Sequence, residues 1–404
     1  MDILALVKDL QSTAESLSGQ TQLDSYEAFQ LRENIRARAV SIALAIDGPE
    51  QTMKTICRGY NTCTALKICL DLELARHVPL EGGRSLEELS ESCGADKRVL
   101  RPVLRLLAQN GIFEQTDDAQ WCHSALSKTM ENPPFRSWMT SILEEKYCAV
   151  ARLPGLLQET EHRFPLPGQT AYNIVYNTPL DFYTFSSKFN HERALDYAMS
   201  MENLARAQLP LFDRVYPLKR LESTTHFIDV AGGLGYTSFF LSQKFAEASF
   251  DVQDYPFIVE VAQKNCPDPL KDRISFKAHD MLLPQPDIDH KVYPAVVFLL
   301  KIILHDHCDE ECKAILKNLL SSMNKNDRTL VIDTVIPKVG GSLSSSFSDI
   351  IQLGMFGSGY RTAKEFLALF HDCGVGVVVD MFSGAADEDF DGMMVFEEIS
   401  VRMA

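Results

Sequence analysis

The stretch Phe227-Ile-Asp-Val-Ala-Gly-Gly-Leu-Gly-Tyr236 constrains the chain more than any other. Its apolar run, Phe227 to Val230, reads as a buried parallel strand carrying one acid, Asp229. Gly232, Gly233 and Gly235 follow, then Phe239, Phe240, Leu241 and Phe245 on one stripe of a helix. Strand, glycine turn and helix in that order open a nucleotide-binding α/β unit, because glycine lets the backbone approach a ligand closely. The same pattern also fits a tight turn with no ligand.

The residues downstream sharpen the reading. A second strand from Ala248 runs into Asp254-Tyr-Pro, which places an acid about 20 residues past the glycines, where a ribose-binding carboxylate is expected. A third strand from Ile274 ends in His279-Asp280-Met281, and a fourth from Ala295 ends in Lys301-Ile-Ile-Leu-His305-Asp306. Each delivers polar groups at its C-terminal end, the edge at which open α/β sheets bind ligands. A dehydrogenase fits less well, since the turn lacks the Gly-x-Gly-x-x-Gly spacing.

Two domains are the expectation for 404 residues. A net charge of −16 argues against nucleic acid or an anionic membrane surface as partner, and no stretch approaches the roughly 18 apolar residues of a membrane span. The N-terminus, Met1-Asp-Ile-Leu-Ala-Leu-Val-Lys-Asp-Leu, is amphipathic and unlike a secretion signal. Ten cysteines without framework spacing point to free thiols in a reducing, cytoplasmic setting. His305, His307, Cys308, Asp309 and Cys312 match no standard zinc spacing, so no metal is expected.

Residues 1 to about 50 read as helical throughout. Ser85-Leu-Glu-Glu88 is a capping box opening a short helix; a second helix starts at Val99; Gly111-Ile-Phe-Glu-Gln and Gln120-Trp-Cys-His form a small hairpin. That order is winged-helix-like. DNA binding is the alternative it raises, but Arg101 and Arg105 form no dense basic cluster. Residues 126 to 215 are helical and aromatic, and Tyr172 to Tyr197 are either core or the wall of an apolar pocket. The α/β part closes with Val375-Gly-Val-Val-Val-Asp and Gly392-Met-Met-Val-Phe.

The ordered set Asp229-Val-Ala-Gly-Gly-Leu-Gly, Gln253-Asp-Tyr-Pro, Ala278-His-Asp-Met, Leu300-Lys-Ile-Ile-Leu-His-Asp-His-Cys-Asp-Glu-Glu-Cys, Arg328-Thr-Leu-Val-Ile-Asp-Thr-Val-Ile-Pro and Gly359-Tyr-Arg-Thr resembles the S-adenosylmethionine-dependent O-methyltransferases of fungal and plant secondary metabolism. The resemblance spans nearly the whole chain. It implies an α/β, class I methyltransferase (Rossmann-like) domain over 126–404, with its helical pocket segment. It also implies a mainly helical, winged-helix-like domain over 1–125 that forms a homodimer. By the same resemblance Asp229, Gly232, Gly233 and Gly235 line the cofactor, Asp254 takes the ribose hydroxyls, and Asp280 and Met281 hold the adenine. Lys301 sits near cofactor or substrate. His305, beside Asp306, is the general base for a substrate hydroxyl, a role that suits imidazole. His123, Asp333, Met355, Phe356 and Tyr360 border the substrate.

Departures from the family pattern modify that expectation. His307 stands where a Trp is usual, Asp333 and Tyr360 where glutamates flank the base, and Ala231 where a Gly is usual. Shortening one carboxylate and losing the other should misplace His305, and small misplacements are costly in catalysis. The combination resembles the O-methyltransferase-like pericyclases of fungal pyridone alkaloid pathways, which catalyse dehydration followed by Alder-ene or hetero-Diels–Alder closure. The leading expectation is therefore a pericyclase acting on a pyridone alcohol. Lys301 would polarise the substrate, His305 with Asp306 would handle loss of water, and S-adenosylmethionine would be bound but not consumed. The alternative is S-adenosylmethionine-dependent methylation of a hydroxyl on a small apolar or aromatic metabolite; a third option is a cofactor-binding dimer without turnover.

Overall fold

The computed structural model of the chain describes residues 3–19, 26–221, 225–373, 377–383 and 392–400. It divides into two compact units, Met1–Ser124 and Ala125–Ala404.

In the first unit the expected helical start is interrupted. A helix spans Ile3–Ser18, and a second stretch, Tyr26–Cys57, breaks at Gly48 (φ 72°, ψ 168°) just before Pro49. Glycine tolerates that left-handed backbone and proline cannot continue the preceding ladder. Helices Gly59–Asp71 and Leu74–His77 follow. The capping box forms as the sequence predicts: the Glu88 amide donates to Ser85 Oγ at 3.2 Å, and the Ser85 amide donates to Glu88 Oε2 at 2.8 Å. It opens helix Leu86–Cys93, which ends at Gly94 in the left-handed region (φ 74°). Asp96 caps helix Lys97–Gln109. Strands β1 (Gly83–Arg84), β2 (Phe113–Gln115) and β3 (Trp121–His123) form an antiparallel sheet in the order β1-β3-β2. Leu74, Leu89, Leu100, Leu104, Leu107, Phe113 and Trp121 make the core here.

The second unit holds a seven-stranded sheet: β4 (His226–Val230), β5 (Ser249–Asp254), β6 (Ile274–Ala278), β7 (Val296–Lys301), β8 (Arg328–Val335), β9 (Val377–Ser383) and β10 (Gly392–Ser400). Their order is β6-β5-β4-β7-β8-β10-β9. β4 to β8 are parallel, while β10 runs antiparallel to both β8 and β9. The expected strand from Val375 begins outside the described residues, and β9 is described from Val377.

The apolar runs of β4 and β7 follow from burial on both faces. Side chains alternate along a strand, so Phe227, Val297 and Leu299 pack into one layer, while Ile228, Val230, Phe298 and Leu300 pack into the other. Helix Asp309–Leu320 covers the second layer with Ile315, Leu316 and Leu319. From β4 the chain proceeds outward through β5 and β6, then returns to the opposite side of β4 with β7. The reversal at β4 and β7 opens a crevice beyond their C-terminal ends. Helices Pro133–Ser141, Tyr147–Glu159, Ala171–Tyr176, Phe182–Phe189 and His191–Val215 precede the sheet, and some of them wall that crevice.

Candidate active site

The crevice is a cleft, partly open to solvent, whose lining residues all belong to the C-terminal unit. Its floor is the glycine turn after β4. Ala231, Gly233 and Gly235 take left-handed backbone, with φ of 52°, 59° and 86°. Gly232 is required for a different reason: a Cβ there would lie 2.6 Å from the Asp229 carboxyl carbon. Asp229 is buried under the turn, where its Oδ2 accepts from Ser238 Oγ at 2.8 Å. Burial pushes its carboxyl up to about 6, against that hydrogen bond and the nearby Lys301.

At the end of β5, Asp254 pins the turn. Its Oδ2 accepts from the Gly233 amide at 2.9 Å and its Oδ1 from the Tyr255 amide at 2.7 Å. Burial raises it too, to about 6, against those two donors. Asp280, after β6, accepts from the Leu282 amide at 2.9 Å. Asp229, Gly232, Gly233, Asp254, Asp280 and Met281 all line the cleft. Gly235 does not; it supplies the left-handed N-terminal cap of helix Tyr236–Lys244.

Lys301 ends β7 and lines the cleft with Nζ donating to Gln208 Oε1 at 2.8 Å. Burial lowers its ammonium to about 8, although Asp229 and Asp333 oppose the shift. Ile302 then turns left-handed (φ 57°) with its amide on the Ile332 carbonyl at 2.7 Å. A β-branched residue is strained in that region, and such strain collects at functional sites.

The sequence predicts that the shorter Asp333 and the loss of a glutamate at Tyr360 together misplace His305. The geometry differs. Asp333 Oδ1 lies 2.7 Å from His305 Nδ1, and Asp306 Oδ1 lies 3.1 Å from Nε2. The Tyr360 ring lies flat against the imidazole, 5.1 Å between centroids and 4° from parallel, instead of leaving a gap. Ser358 Oγ donates to the His305 carbonyl at 2.8 Å. Burial alone would push the imidazole down, but the two carboxylates outweigh it and hold His305 well above its usual value. His305 is thus an imidazolium with both N–H groups donated. It has no lone pair for a base and does not line the cleft. Tyr360 and Asp333 lie behind it, also off the cleft wall.

Asp306 does face the cleft. Burial would raise it, yet the His305 imidazolium and its hydrogen bonds keep it below the usual carboxylate range. The Tyr183 hydroxyl donates to Asp306 Oδ2 and lies 2.9 Å from the Tyr197 hydroxyl. Burial, and then Asp306, hold Tyr183 well above its usual value, so it remains a donor. Phe182, Tyr183, Tyr197, Met355 and Phe356 wall this side, with Tyr183 and Phe356 stacked at 5.5 Å. Tyr172, in the same aromatic stretch, is core.

His307 and Glu311 also line the cleft; the sequence reading treated His307 only as a departure and a metal candidate and did not single out Glu311. Cys312, from the same candidate, points into the core with Sγ on the Leu304 carbonyl at 3.2 Å. His123 belongs to the N-terminal unit, where its Nε2 bonds the Val78 carbonyl oxygen at 3.1 Å in a buried setting. Among the described residues no helix is long and apolar enough to cross a membrane.

Comparison with known proteins places this geometry. The model of a family described as the O-methyltransferase domain matches residues 166–376. The chain is 54% identical over 397 residues to O-methyltransferase SAT18 of Stachybotrys chartarum, covering 98% of both chains. A solved structure described as a pericyclic reaction enzyme superposes with a TM-score of 0.81 at 21% identity, covering 99% of each chain. OxaC in complex with sinefungin and meleagrin superposes with a TM-score of 0.82 at 18% identity over 98% of each chain. Those two likenesses are likenesses of fold.

Proposed function

The chain belongs to the O-methyltransferase family, and from that premise we propose that it is an S-adenosylmethionine-dependent O-methyltransferase acting on a hydroxyl of a small apolar or aromatic metabolite. The observation that carries this reading is the pinned acid at the end of β5. A carboxylate offers about four lone-pair sites, and the backbone amides of Gly233 and Tyr255 take two from Asp254, leaving capacity for a ribose diol. Gly233 leaves the space around it open, and Asp280, Met281 and Leu282, which line the same cleft, would hold the adenine. The carboxylates of Asp254, Asp280 and Asp306 suit a cationic ligand. When bound, S-adenosylmethionine supplies an electrophilic methyl group on a sulfonium centre.

The chain's own part is to orient and exclude water. The aromatic wall from Phe182 to Phe356 holds a flat apolar substrate, and Lys301 Nζ favours negative charge developing on the substrate oxygen. Titration with S-adenosylhomocysteine tests the cofactor half: wild type binds, and Asp254→Ala binds at least tenfold more weakly. Equal affinity in both overturns the assignment.

The 54% identity to a protein named an O-methyltransferase, over 98% of both chains, supports placing methylation ahead of the pericyclase reading. One observation favours pericyclase chemistry as the second: His305 has no free nitrogen with which to deprotonate a hydroxyl. Lys301 and Asp306 would then polarise and dehydrate a pyridone alcohol inside the same wall.

We also read the N-terminal unit as a winged-helix-like dimerisation module. Val40, Ile46, Met53 and Ile56 on the Tyr26–Cys57 stretch are exposed apolar residues that a second copy would cover. Light scattering of the full chain should give a dimer mass. All ten cysteines are free thiols, which supports a reducing, cytoplasmic setting.

A further inference from the structure

We propose that His307, oriented by Glu311, is the acid–base residue that faces the substrate hydroxyl, a role resting on the methyl-transfer reading above. Both side chains line the cleft, and His307 Nδ1 lies 3.1 Å from Glu311 Oε2. Helix Asp309–Leu320 begins just after His307, so the pair lies four positions apart across its first turn.

The hydrogen bond from His307 holds Glu311 below the usual carboxylate range, against its partial burial. An ionised carboxylate only accepts, so Nδ1 is the donor to Glu311 and Nε2 is the nitrogen left to carry a lone pair. Nε2 has no hydrogen-bond partner among the described residues. The contrast with His305, two residues earlier, is complete: there both nitrogens are committed to carboxylates.

The backbone at His307 is fixed. Arg361 Nη2 donates to the His307 carbonyl at 2.8 Å while its Nη1 donates to the Leu304 carbonyl at 2.7 Å. Cys312 Sγ adds a contact to the His307 carbonyl at 3.4 Å. A histidine so placed, with a carboxylate behind one nitrogen and the cleft before the ring, has the arrangement of a general base and its orienting group. The step balances within the dyad: the substrate O–H bond breaks, its electron pair stays on oxygen, and its proton goes to Nε2. The resulting imidazolium is countered by Glu311.

The first test needs no substrate. The full-length protein is treated with diethyl pyrocarbonate and the modified histidines are mapped by mass spectrometry. His307 should be carbethoxylated and His305 spared, because an imidazolium is not a nucleophile; modification of His305 with His307 spared overturns the proposal. The second test follows release of S-adenosylhomocysteine with a panel of phenols. His307→Phe should lose turnover at least about 100-fold while binding S-adenosylhomocysteine as wild type does. Should that variant fail to fold, His307→Gln replaces it. Glu311, as a positioning residue, should lower kcat at unchanged KM when replaced by Gln, and Glu311→Asp should recover part of the loss. Full turnover in a folded His307 variant overturns the proposal with the methyl-transfer reading intact. No methylated product from wild type with any phenol counts against that reading instead, and the labelling result then decides the dyad by itself.

Discussion

His305 Nδ1 lies 2.7 Å from Asp333 Oδ1, and the ring's other nitrogen lies 3.1 Å from Asp306 Oδ1. The arrangement makes the expected base a buried cation that keeps Asp306, at the cleft wall, below the usual carboxylate range.

The clamp has a pH signature. His305 is raised above its unfolded value, so its stabilising contribution is fully present below about pH 6.5 and is lost as pH rises through the folded value. Asp306 is lowered, so its contribution is present above about pH 3.9 and is lost as pH falls through its folded value. Asp333→Leu should therefore cost about 3 kcal/mol near pH 6, the loss of one partner of a buried pair. The gap to wild type should narrow by pH 9. Denaturant melts at the two pH values measure it, and a gap independent of pH would contradict the clamp.

Lys301 gives the opposite trend. Its value is depressed from 10.5 to about 8, so burial penalises the charged form fully below about pH 8, and the penalty fades as pH rises toward 10.5. Against Lys301→Met, wild type should gain stability between pH 7 and pH 10, by about 3 kcal/mol at most. The variant also leaves the Gln208 carbonyl without its donor, a constant cost of about 1 kcal/mol. Melts across that range read the slope; a flat difference would mean that Lys301 is not desolvated.

The glycine turn separates crowding from backbone strain. Gly232→Ala should drive a methyl into the Asp229 carboxylate, cost about 1–3 kcal/mol and weaken S-adenosylhomocysteine binding by tenfold or more. Gly233→Ala meets nothing within 4 Å, but its φ of 59° costs about 1–2 kcal/mol. Its affinity loss should be the smaller. Melts and calorimetric titrations rank the two, and the reverse ranking in affinity would displace the ligand from beside Gly232.

Asp254→Asn should be more harmful than its size suggests. The amide group would turn one N–H₂ toward a backbone donor, either Gly233 or Tyr255, and lose an acceptor. An unmet buried group costs about 1–3 kcal/mol, so both stability and cofactor affinity should fall. A variant with wild-type affinity would remove Asp254 from the cofactor site.

Much of this was legible in the sequence. The glycine turn, the acids near the ends of β4, β5 and β6, and the capping box at Ser85 are local patterns that residue spacing alone reveals. The environment of His305 was not legible, because it depends on sheet register. Lys301 pairs with Ile332 across β7 and β8, which carries Asp333 alongside the turn bearing His305. Residue counting registers only a missing methylene. Tyr360 likewise compensates by stacking, which no spacing rule reveals. The spacing of His307 and Glu311 was visible, but only the cleft shows which side of the chain they face.

The most direct test of the methyl-transfer reading is the product mass after incubation with deuterium-methyl S-adenosylmethionine, a phenol panel and a pyridone alcohol bearing a polyene. Methyl transfer gives a product carrying one labelled methyl on oxygen, with an equal amount of S-adenosylhomocysteine released. A cyclised product lighter by one water, unlabelled and formed without S-adenosylhomocysteine release, would contradict it and establish the pericyclase reading.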